Sequence, residues 1–524
     1  MSSDSPEIDR RPLFDRLGGR RAGVCLHLTS LPGPYGVGEL GDAAHRFIDD
    51  VAAMGLSVWQ FLPIGPVTYA DSPYQSASIV AGNPLLIDLS ALRAEGLLDN
   101  DDLREVSMLP ADHVDFGALI PIKAALLEKA AGRFLAQAGD ERIAARAAFI
   151  AANDGPWLHN FALFQVLRAR HDQRAWAEWD PACARRDATI IGELETYSAD
   201  DIERIKTIQF LFFEQWERLK RHAEERGVLL MGDLPIYPAL DNASVWERQD
   251  LFALESDGTP IVVGGVPPDY FSTDGQKWGN PLYRWDRHAE EDYAWWVSRF
   301  RQLMEMIDIV RLDHFRGFEA YWAVPSTAES AREGEWLEGP GAALFEALEA
   351  ELGPLPVVAE NLGVITPDVE ALRREFGLPG MAVLQFLLDQ PGFDPADIAT
   401  DSVCYTGTHD NDTTVGWFNG GPGDVRSPEE IEHTRNLVLE RTGGTAETVH
   451  EDVTRIAMSS PAALAIIPMQ DLLGLGSDAR MNTPGTTEGN WRWRLEPGAM
   501  SDDLKARFRR VVEETGRCCE DGAA

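Results

Sequence analysis

The chain has 524 residues, of which 44% are hydrophobic and 25% are charged. This length exceeds the usual size of one domain, and the composition is typical of a folded globular protein. The 85 acidic residues outnumber the 47 basic ones, which gives a formal net charge of −38. Such a charge repels nucleic-acid phosphates and anionic membrane surfaces, so we expect neither a nucleic acid nor a membrane as a partner.

The cysteines and the N-terminal segment indicate a reducing compartment. The five cysteines are few, odd in number and without zinc-like spacing, which argues against a disulfide framework or a structural metal site. The first 20 residues are polar and charged, and no run of about 18 apolar residues occurs. We therefore expect a cytoplasmic protein.

Eight short apolar runs end in polar residues and turn signals, a pattern that predicts buried parallel strands alternating with helices. The runs are 24–28, 58–62, 228–232, 307–312, 356–359, 382–386, 403–407 and 464–468. Eight such strands are what a (β/α)₈ TIM barrel requires. The predicted fold class is therefore α/β, a TIM barrel with large, mainly helical insertions on the barrel loops.

The spacing of the apolar runs is uneven, which predicts where the insertions lie. Segments such as 122–134 and 202–222 have apolar residues at i, i+3 and i+4, so the first insertion should be a helical subdomain. The second insertion is expected to form a substrate-loop subdomain. The predicted parts are an N-terminal extension (1–20), the barrel (21–495), its two insertions (67–226 and 238–300), and a C-terminal helix and tail (496–524).

Four of the apolar runs are followed by a carboxylate: Asp233, Asp313, Glu360 and Asp410. Functional groups of a parallel barrel lie at the C-terminal ends of its strands. One such acid alone is more often a helix cap or a solvated loop charge, but four at matching heights can meet in one cleft. Cleavage of a glycosidic bond needs such a cleft, with one acid to protonate the leaving oxygen and one carboxylate to attack or to activate water.

Two further features surround these acids. Arg311 lies two residues before Asp313 and so on the same strand face, where it could pair with the aspartate charge or form a simple barrel salt bridge. Aromatic side chains near the acids could stack on sugar rings, although plain core packing is the competing explanation. These aromatic residues are Tyr74, Tyr270, Phe271, Trp278, Tyr283, Trp285, Phe315, Phe318 and Trp417.

Taken together, the motifs resemble glycoside hydrolase family 77, the amylomaltases and plant disproportionating enzymes. The similarity runs from about residue 20 to about residue 495. The motifs are LTSLPGPYGVGELG (28–41), WQFLPIGP (59–66), SPYQSASIVAGNPLLIDL (72–89), GDLPIY (232–237), GGVPPDYFSTDGQKWGNPLYRW (264–285), RLDHFRGF (311–318), AENLG (359–363) and YTGTHDNDT (405–413).

The resemblance implies a 4-α-glucanotransferase, which moves a segment of a 1,4-α-glucan to the 4-hydroxyl of an acceptor by a retaining double displacement. It implies that Asp313 is the nucleophile, Glu360 the general acid/base and Asp410 the transition-state stabiliser. The implied substrate-binding residues are Asp233, Arg311 and His409 for the donor sugar, and Tyr74, Gln276, Trp278 and Asn280 for the glucan chain. Maltooligosaccharides or α-1,4-glucans are the implied partners, and neither a metal nor an organic cofactor is expected.

Three alternatives stay open at the level of sequence. An α-glucan hydrolase could use the same scaffold, and a non-catalytic glucan-binding protein could keep the aromatic residues. A metal-dependent barrel hydrolase would need clustered ligands, and His314 and His409 are too isolated to supply them. The sequence also leaves open the oligomeric state and the choice between maltose use and glycogen turnover.

Overall fold

The computed structural model describes residues 8–68, 70–268 and 273–518. Its strands, in chain order, are β1 (Arg21–Cys25), β2 (Val58–Gln60), β3 (Leu229–Leu234), β4 (Val262–Val266), β5 (Gln276–Pro281), β6 (Ile309–Leu312), β7 (Ala320–Pro325), β8 (Glu335–Glu338), β9 (Val357–Ala359), β10 (Gly380–Val383), β11 (Ser402–Tyr405) and β12 (Leu464–Pro468). Eight of these described strands form one parallel sheet in the order β10-β11-β12-β1-β2-β3-β6-β9. Each of the eight apolar runs overlaps one of these strands, so the predicted TIM barrel is confirmed.

The ring of strands closes between β9 and β10. The N–H of Ala359, the last residue of β9, donates at 2.8 Å to the carbonyl of Pro379, which directly precedes β10. The other neighbours pair in regular parallel ladders, such as Arg21 with Leu464 and Asp233 with Arg311. All eight carboxyl ends therefore surround one axis.

Four of the predicted strands, β1, β2, β10 and β11, end earlier than their apolar runs. The run 382–386 leaves the sheet after Val383 and turns into the helix Leu384–Leu387, and the run 24–28 leaves it after Cys25. Leu28 and Leu384 are nevertheless fully buried. A continuous apolar run cannot distinguish a strand from a buried helical turn that follows it, which explains the difference.

The barrel encloses an apolar core of its own. Val58, Met231, Ile309 and other inward-facing strand residues pack together there. Leu13 and Phe14 belong to the same cluster and are 1% exposed, although they precede the first strand. The chain before β1 thus packs against the interior of the barrel.

Helices fill the connections around the barrel. The connection between β2 and β3 contains the helices Leu89–Ala94, Phe116–Gln137, Asp140–Asn153, His159–Arg170, Pro181–Ala184, Ala188–Tyr197 and Ala199–Glu225. The others are Leu13–Arg16, Asp42–Ala53, Ala243–Glu247, Trp285–Glu290, Ala294–Met306, Ala342–Leu352, Pro367–Glu375, Leu384–Leu387, Thr414–Asn419, Pro428–Thr442, Val449–Ser459, Met469–Leu472 and Asp502–Glu514. None of the helices in the described part of the chain combines the length and apolar character of a membrane span.

Local sequence signals account for several helix boundaries. Thr366 caps the helix Pro367–Glu375, because its hydroxyl accepts from the N–H of Val369 and proline occupies the first position. Ser427 and Glu430 form a capping box at the start of the helix Pro428–Thr442.

A second, antiparallel sheet lies outside the barrel, in the order β5-β4-β7-β8. It joins chain segments from before and after β6, since β4 pairs with both β5 and β7. The sequence pattern did not predict this sheet, because β4 contains Gly264 and Gly265 and lacks a clear alternation of apolar and polar residues. The sheet carries Gln276, Trp278 and Asn280 on one of its edge strands.

Candidate active site

Arg311 holds two acids at the carboxyl ends of β3 and β6. Its Nη1 donates to both carboxylate oxygens of Asp233, at 2.8 and 2.7 Å, and to Oδ1 of Asp313 at 3.0 Å. The side chains of Asp233 and Arg311 are 0% and 5% exposed, whereas that of Asp313 is 28% exposed. Arg311 therefore forms a buried salt bridge with Asp233 and also pairs with the charge of Asp313. Of the two acids, only Asp313 reaches solvent.

Glu360 follows β9 and is buried, with 8% of the residue exposed. Its Oε2 accepts from the backbone N–H of His314 at 2.7 Å, and its Oε1 accepts from that of Leu362 at 2.8 Å. Burial raises the pKa of Glu360 to about 8, and the charge of Asp313 acts in the same direction against Arg311 and the two N–H groups. Glu360 can therefore hold a proton near neutral pH.

His314 turns the backbone between these two acids. Its φ of 49° and ψ of 50° lie in the left-handed region, which is uncommon for a residue other than glycine. This conformation aims its N–H at Glu360. Burial lowers the pKa of the His314 imidazole to about 4, and the ring of Trp278 meets it edge to face at a centroid distance of 5.0 Å.

Tyr74 connects the strand ends to the loop that follows β11. Its hydroxyl donates to Oδ2 of Asp233 at 2.8 Å and lies 2.9 Å from Nε2 of His409. The Tyr74 and His409 rings stack at a centroid distance of 5.3 Å, and Trp491 lies 6.0 Å from each of them. Burial and the neighbouring Asp233 charge raise the pKa of Tyr74 well above its ordinary value, so the hydroxyl stays protonated.

Asp410 is the most exposed of the three predicted catalytic acids, with 48% of its side chain accessible. Its Oδ1 accepts from Nδ2 of Asn482 at 2.6 Å and lies 3.4 Å from Nε2 of His409. Its charge also contributes to the raised pKa of Tyr74. Asp410 therefore stands at the edge of the same group of contacts that includes Asp233 and Asp313.

The three residues predicted to contact the glucan chain lie on β5 and differ in their surroundings. Oε1 of Gln276 accepts from Nε1 of Trp278 at 3.1 Å, and both side chains are partly exposed. Asn280 is buried, and its Nδ2 donates to the carbonyl of Pro238 at 2.9 Å. The Asn280 amide nitrogen is thus engaged with the backbone.

Most of the aromatic residues suggested for sugar stacking belong to the core instead. Phe315 and Phe318 are fully buried, and Tyr283 and Trp285 pack among neighbouring rings. Trp417 is 9% exposed, below the guanidinium of Arg426. Burial favours the core-packing explanation for Phe315, Phe318, Tyr283 and Trp417, whereas Trp285 is only partly buried. Tyr270 and Phe271 lie outside the described residues.

Two residues of the site were not anticipated from the sequence. Asn482 bonds Asp410, and Trp491 lies against Tyr74 and His409. Both belong to the loop after β12, where the barrel rule predicts functional groups. A tryptophan within the glycine- and threonine-rich segment 483–491 was the signal that could have revealed this loop.

The chemistry available to this group is proton transfer and nucleophilic attack. It combines the partly exposed Asp313 carboxylate paired with Arg311, the buried Glu360 whose raised pKa lets it keep a proton, and hydrogen-bond donors around them. Within residues 8–68, 70–268 and 273–518, no group of three or more His, Cys, Asp or Glu side chains is placed to hold a metal ion. His409 and His314 are engaged separately, with Tyr74 and Trp278.

Known proteins resemble this chain over nearly its full length. A family described as 4-alpha-glucanotransferase matches residues 26–501. A 4-alpha-glucanotransferase of Thermus thermophilus is 44% identical over 95% of this chain and 99% of its own length, and one of Synechocystis is 42% identical over 96% and 99%. The structure of an amylomaltase from Streptococcus agalactiae in complex with acarbose superposes with a TM-score of 0.90 at 34% identity, covering 95% of this chain and 100% of that one.

Proposed function

The chain belongs to the 4-alpha-glucanotransferase family, and from that premise we propose that Asp313, Glu360 and Asp410 carry out the transfer. As an enzyme of this family it moves a segment of a 1,4-α-glucan to an acceptor, and the full-length match favours this activity over hydrolysis or simple glucan binding. One observation carries the residue assignment: two acids in different states act on each other. Asp313 is paired with Arg311, and Glu360 has a raised pKa to which the charge of Asp313 contributes.

In the first step, Asp313 attacks the anomeric carbon and Glu360 donates its proton to the departing glucan oxygen. The C–O bond to the leaving chain breaks as the bond to the Asp313 carboxylate forms, which gives a covalent glycosyl-enzyme. Burial supports the acid role of Glu360, because a carboxyl group with a pKa of about 8 is mainly protonated at neutral pH.

In the second step, Glu360 is ionised and accepts the proton of the acceptor's 4-hydroxyl as that oxygen attacks the glycosyl-enzyme. The two displacements restore the α linkage and return both acids to their starting states. Asp410 supplies negative charge beside the oxocarbenium-like transition state, and Asp233, Arg311 and His409 surround the donor sugar. A separation of about 5 to 5.5 Å between the Asp313 and Glu360 carboxyls is the distance that this retaining route requires.

We propose maltooligosaccharides and longer α-1,4-glucans as donor and acceptor, with Tyr74, Gln276, Trp278 and Asn280 along the chain-binding cleft. The acarbose complex of the Streptococcus agalactiae relative supports a carbohydrate-binding cleft here. Partly exposed Trp278, edge-on to His314 beside Asp313, supports an aromatic contact close to the bond that is cut. A cytoplasmic location, where glycogen or maltooligosaccharides are processed, completes the proposal.

Incubation of the purified chain with maltotriose tests the function directly. Transfer produces glucose together with a ladder of longer maltooligosaccharides, which chromatography resolves by size. Accumulation of glucose and maltose without longer products would instead indicate hydrolysis. The Asp313→Asn variant should form no ladder, and a ladder of wild-type intensity would contradict the assignment of the nucleophile.

A further inference from the structure

Asp410 and Glu360 are held in different ways, and the difference singles out Asp410 as the acid that needs external support. Glu360 is buried and bonded by two N–H groups from its own and the neighbouring strand end. Asp410 lies on the loop after β11, with nearly half of its side chain exposed. A half-exposed carboxylate on a loop has many accessible orientations, so its alignment depends on contacts from elsewhere.

Those contacts come from the loop after β12, at residues 477–491. Nη2 of Arg480 donates to the carbonyl of Asp410 at 2.8 Å, and Nε of the same guanidinium donates to the carbonyl of Asn482 at 2.7 Å. Asn482 in turn donates to the Asp410 carboxylate at 2.6 Å. One guanidinium thus fixes both the backbone that carries Asp410 and the backbone that carries its hydrogen-bond donor.

Further bonds make this loop a firm support. Oγ of Ser477 donates to Oδ2 of Asp412 at 2.6 Å, which joins the two loops a second time. Nε2 of Gln470 donates to the carbonyl of Ala479 at 3.2 Å, just before Arg480. At the far side, the N–H of Trp491 donates to the carbonyl of Met481 at 2.7 Å, which fixes the loop beside Tyr74 and His409.

We infer that Arg480 is a positioning residue for the transfer reaction, which acts through Asp410 by bridging the loops after β11 and β12. The inference rests on the proposed role of Asp410. The planar guanidinium suits this bridge, because its Nε and Nη2 donors are fixed relative to each other and reach two carbonyls at once. A lysine ammonium supplies the same charge without that fixed pair of donors.

A double-mutant cycle between Arg480→Ala and Asp410→Asn tests the inference, with transfer from maltotriose as the readout. Arg480→Ala should lower kcat about 10- to 100-fold, since a displacement of about 1 Å can cost about 10²-fold. KM should stay within about twofold. In the Asp410→Asn background the same Arg480 change should have almost no further effect, because the group that Arg480 positions is already lost.

Arg480→Lys separates geometry from charge, and it carries the cycle in place of Arg480→Ala if the alanine variant does not fold. Partial activity is expected of the lysine variant; wild-type kcat would mean that the charge alone matters and would overturn the bridging role. Arg20→Ala is the matched control, because Arg20 also donates to two carbonyls, those of Thr515 and Ser460, but precedes β1 at the opposite end of the barrel. It should retain wild-type kcat.

The outcomes distinguish this inference from the proposed function. Suppose that Asp410→Asn lowers kcat, and that the double variant loses the product of the Arg480→Ala and Asp410→Asn factors. Arg480 then does not act through Asp410, and the inference fails while the proposed function stands. If Asp410→Asn transfers glucan at the wild-type rate, the proposed role of Asp410 fails and the inference fails with it.

Discussion

The ends of β6 and β9 and the loop after β11 contribute to one site by different physical means. At the strand ends, Arg311 lies within β6, and Asp313 and Glu360 directly follow β6 and β9, so the sheet register fixes their backbone. On the loop, His409 and Asp410 depend on side chains from elsewhere, namely Tyr74, Arg480 and Asn482. The proposed nucleophile Asp313 and acid/base Glu360 thus stand at the ends of rigid barrel strands, while the more exposed Asp410 relies on the loop after β12 for its alignment.

Among the variants that compare the strand ends with the loop after β11, Glu360→Gln should cause the largest loss of kcat. Glutamine cannot donate the proton to the leaving oxygen, and loss of general acid/base catalysis costs about 10²–10⁴-fold in rate. The exposed Glu375→Gln at the end of the helix Pro367–Glu375 is a control that should leave kcat unchanged. A Glu360→Gln enzyme with near-wild-type kcat would assign the proton transfer to another group.

The pH dependence of the wild-type enzyme tests the same acid. Glu360 must be protonated for the first step, and burial places its pKa at about 8. The rate of transfer should therefore decline as the pH rises through about 8, because the ionised form accumulates above that value. A rate of maltotriose transfer that stays constant between about pH 7 and 10 would contradict the proton-holding role.

Arg311→Lys should have an intermediate effect. Lysine keeps the positive charge but lacks the guanidinium that holds Asp233 and Asp313 together, so kcat should fall about 10²-fold through misplacement of the nucleophile. The matched control is Arg301→Lys, an exposed arginine paired with Glu351 on the outer helices. If kcat of the Arg311 variant equals that of the control, the strand end does not need the bridging geometry.

Tyr74→Phe should have the smallest effect, because it removes a single hydroxyl between the two regions. The lost bond to the Asp233 carboxylate corresponds to about 1.5 kcal/mol, or roughly tenfold in kcat/KM. Tyr35→Phe, which removes a buried hydroxyl bonded to Ser90 away from the acids, is the control. Unchanged kcat/KM in Tyr74→Phe would indicate that the strand ends and the loop act without this link.

Much of the fold and the central part of the site could be predicted from the chain alone. The apolar runs marked the barrel strands, and the acids after them marked Asp233, Asp313 and Glu360. The four-stranded outer sheet was not predicted, because Gly264 and Gly265 interrupt the side-chain alternation that identifies a strand. The sequence left the aromatic residues open between sugar stacking and core packing, because the same composition suits both, and only their burial in the structure favours packing for most of them.

By itself, the sequence determined which residues stand at the ends of the barrel strands, because strand periodicity and the position after each run are local properties. Only the tertiary structure decided that Glu360 is desolvated enough to keep its proton, that Tyr74 joins Asp233 to His409, and that Arg480 and Asn482 reach Asp410. Burial and hydrogen bonds between residues 70 to 335 positions apart arise from the packing of distant segments, which no local pattern encodes.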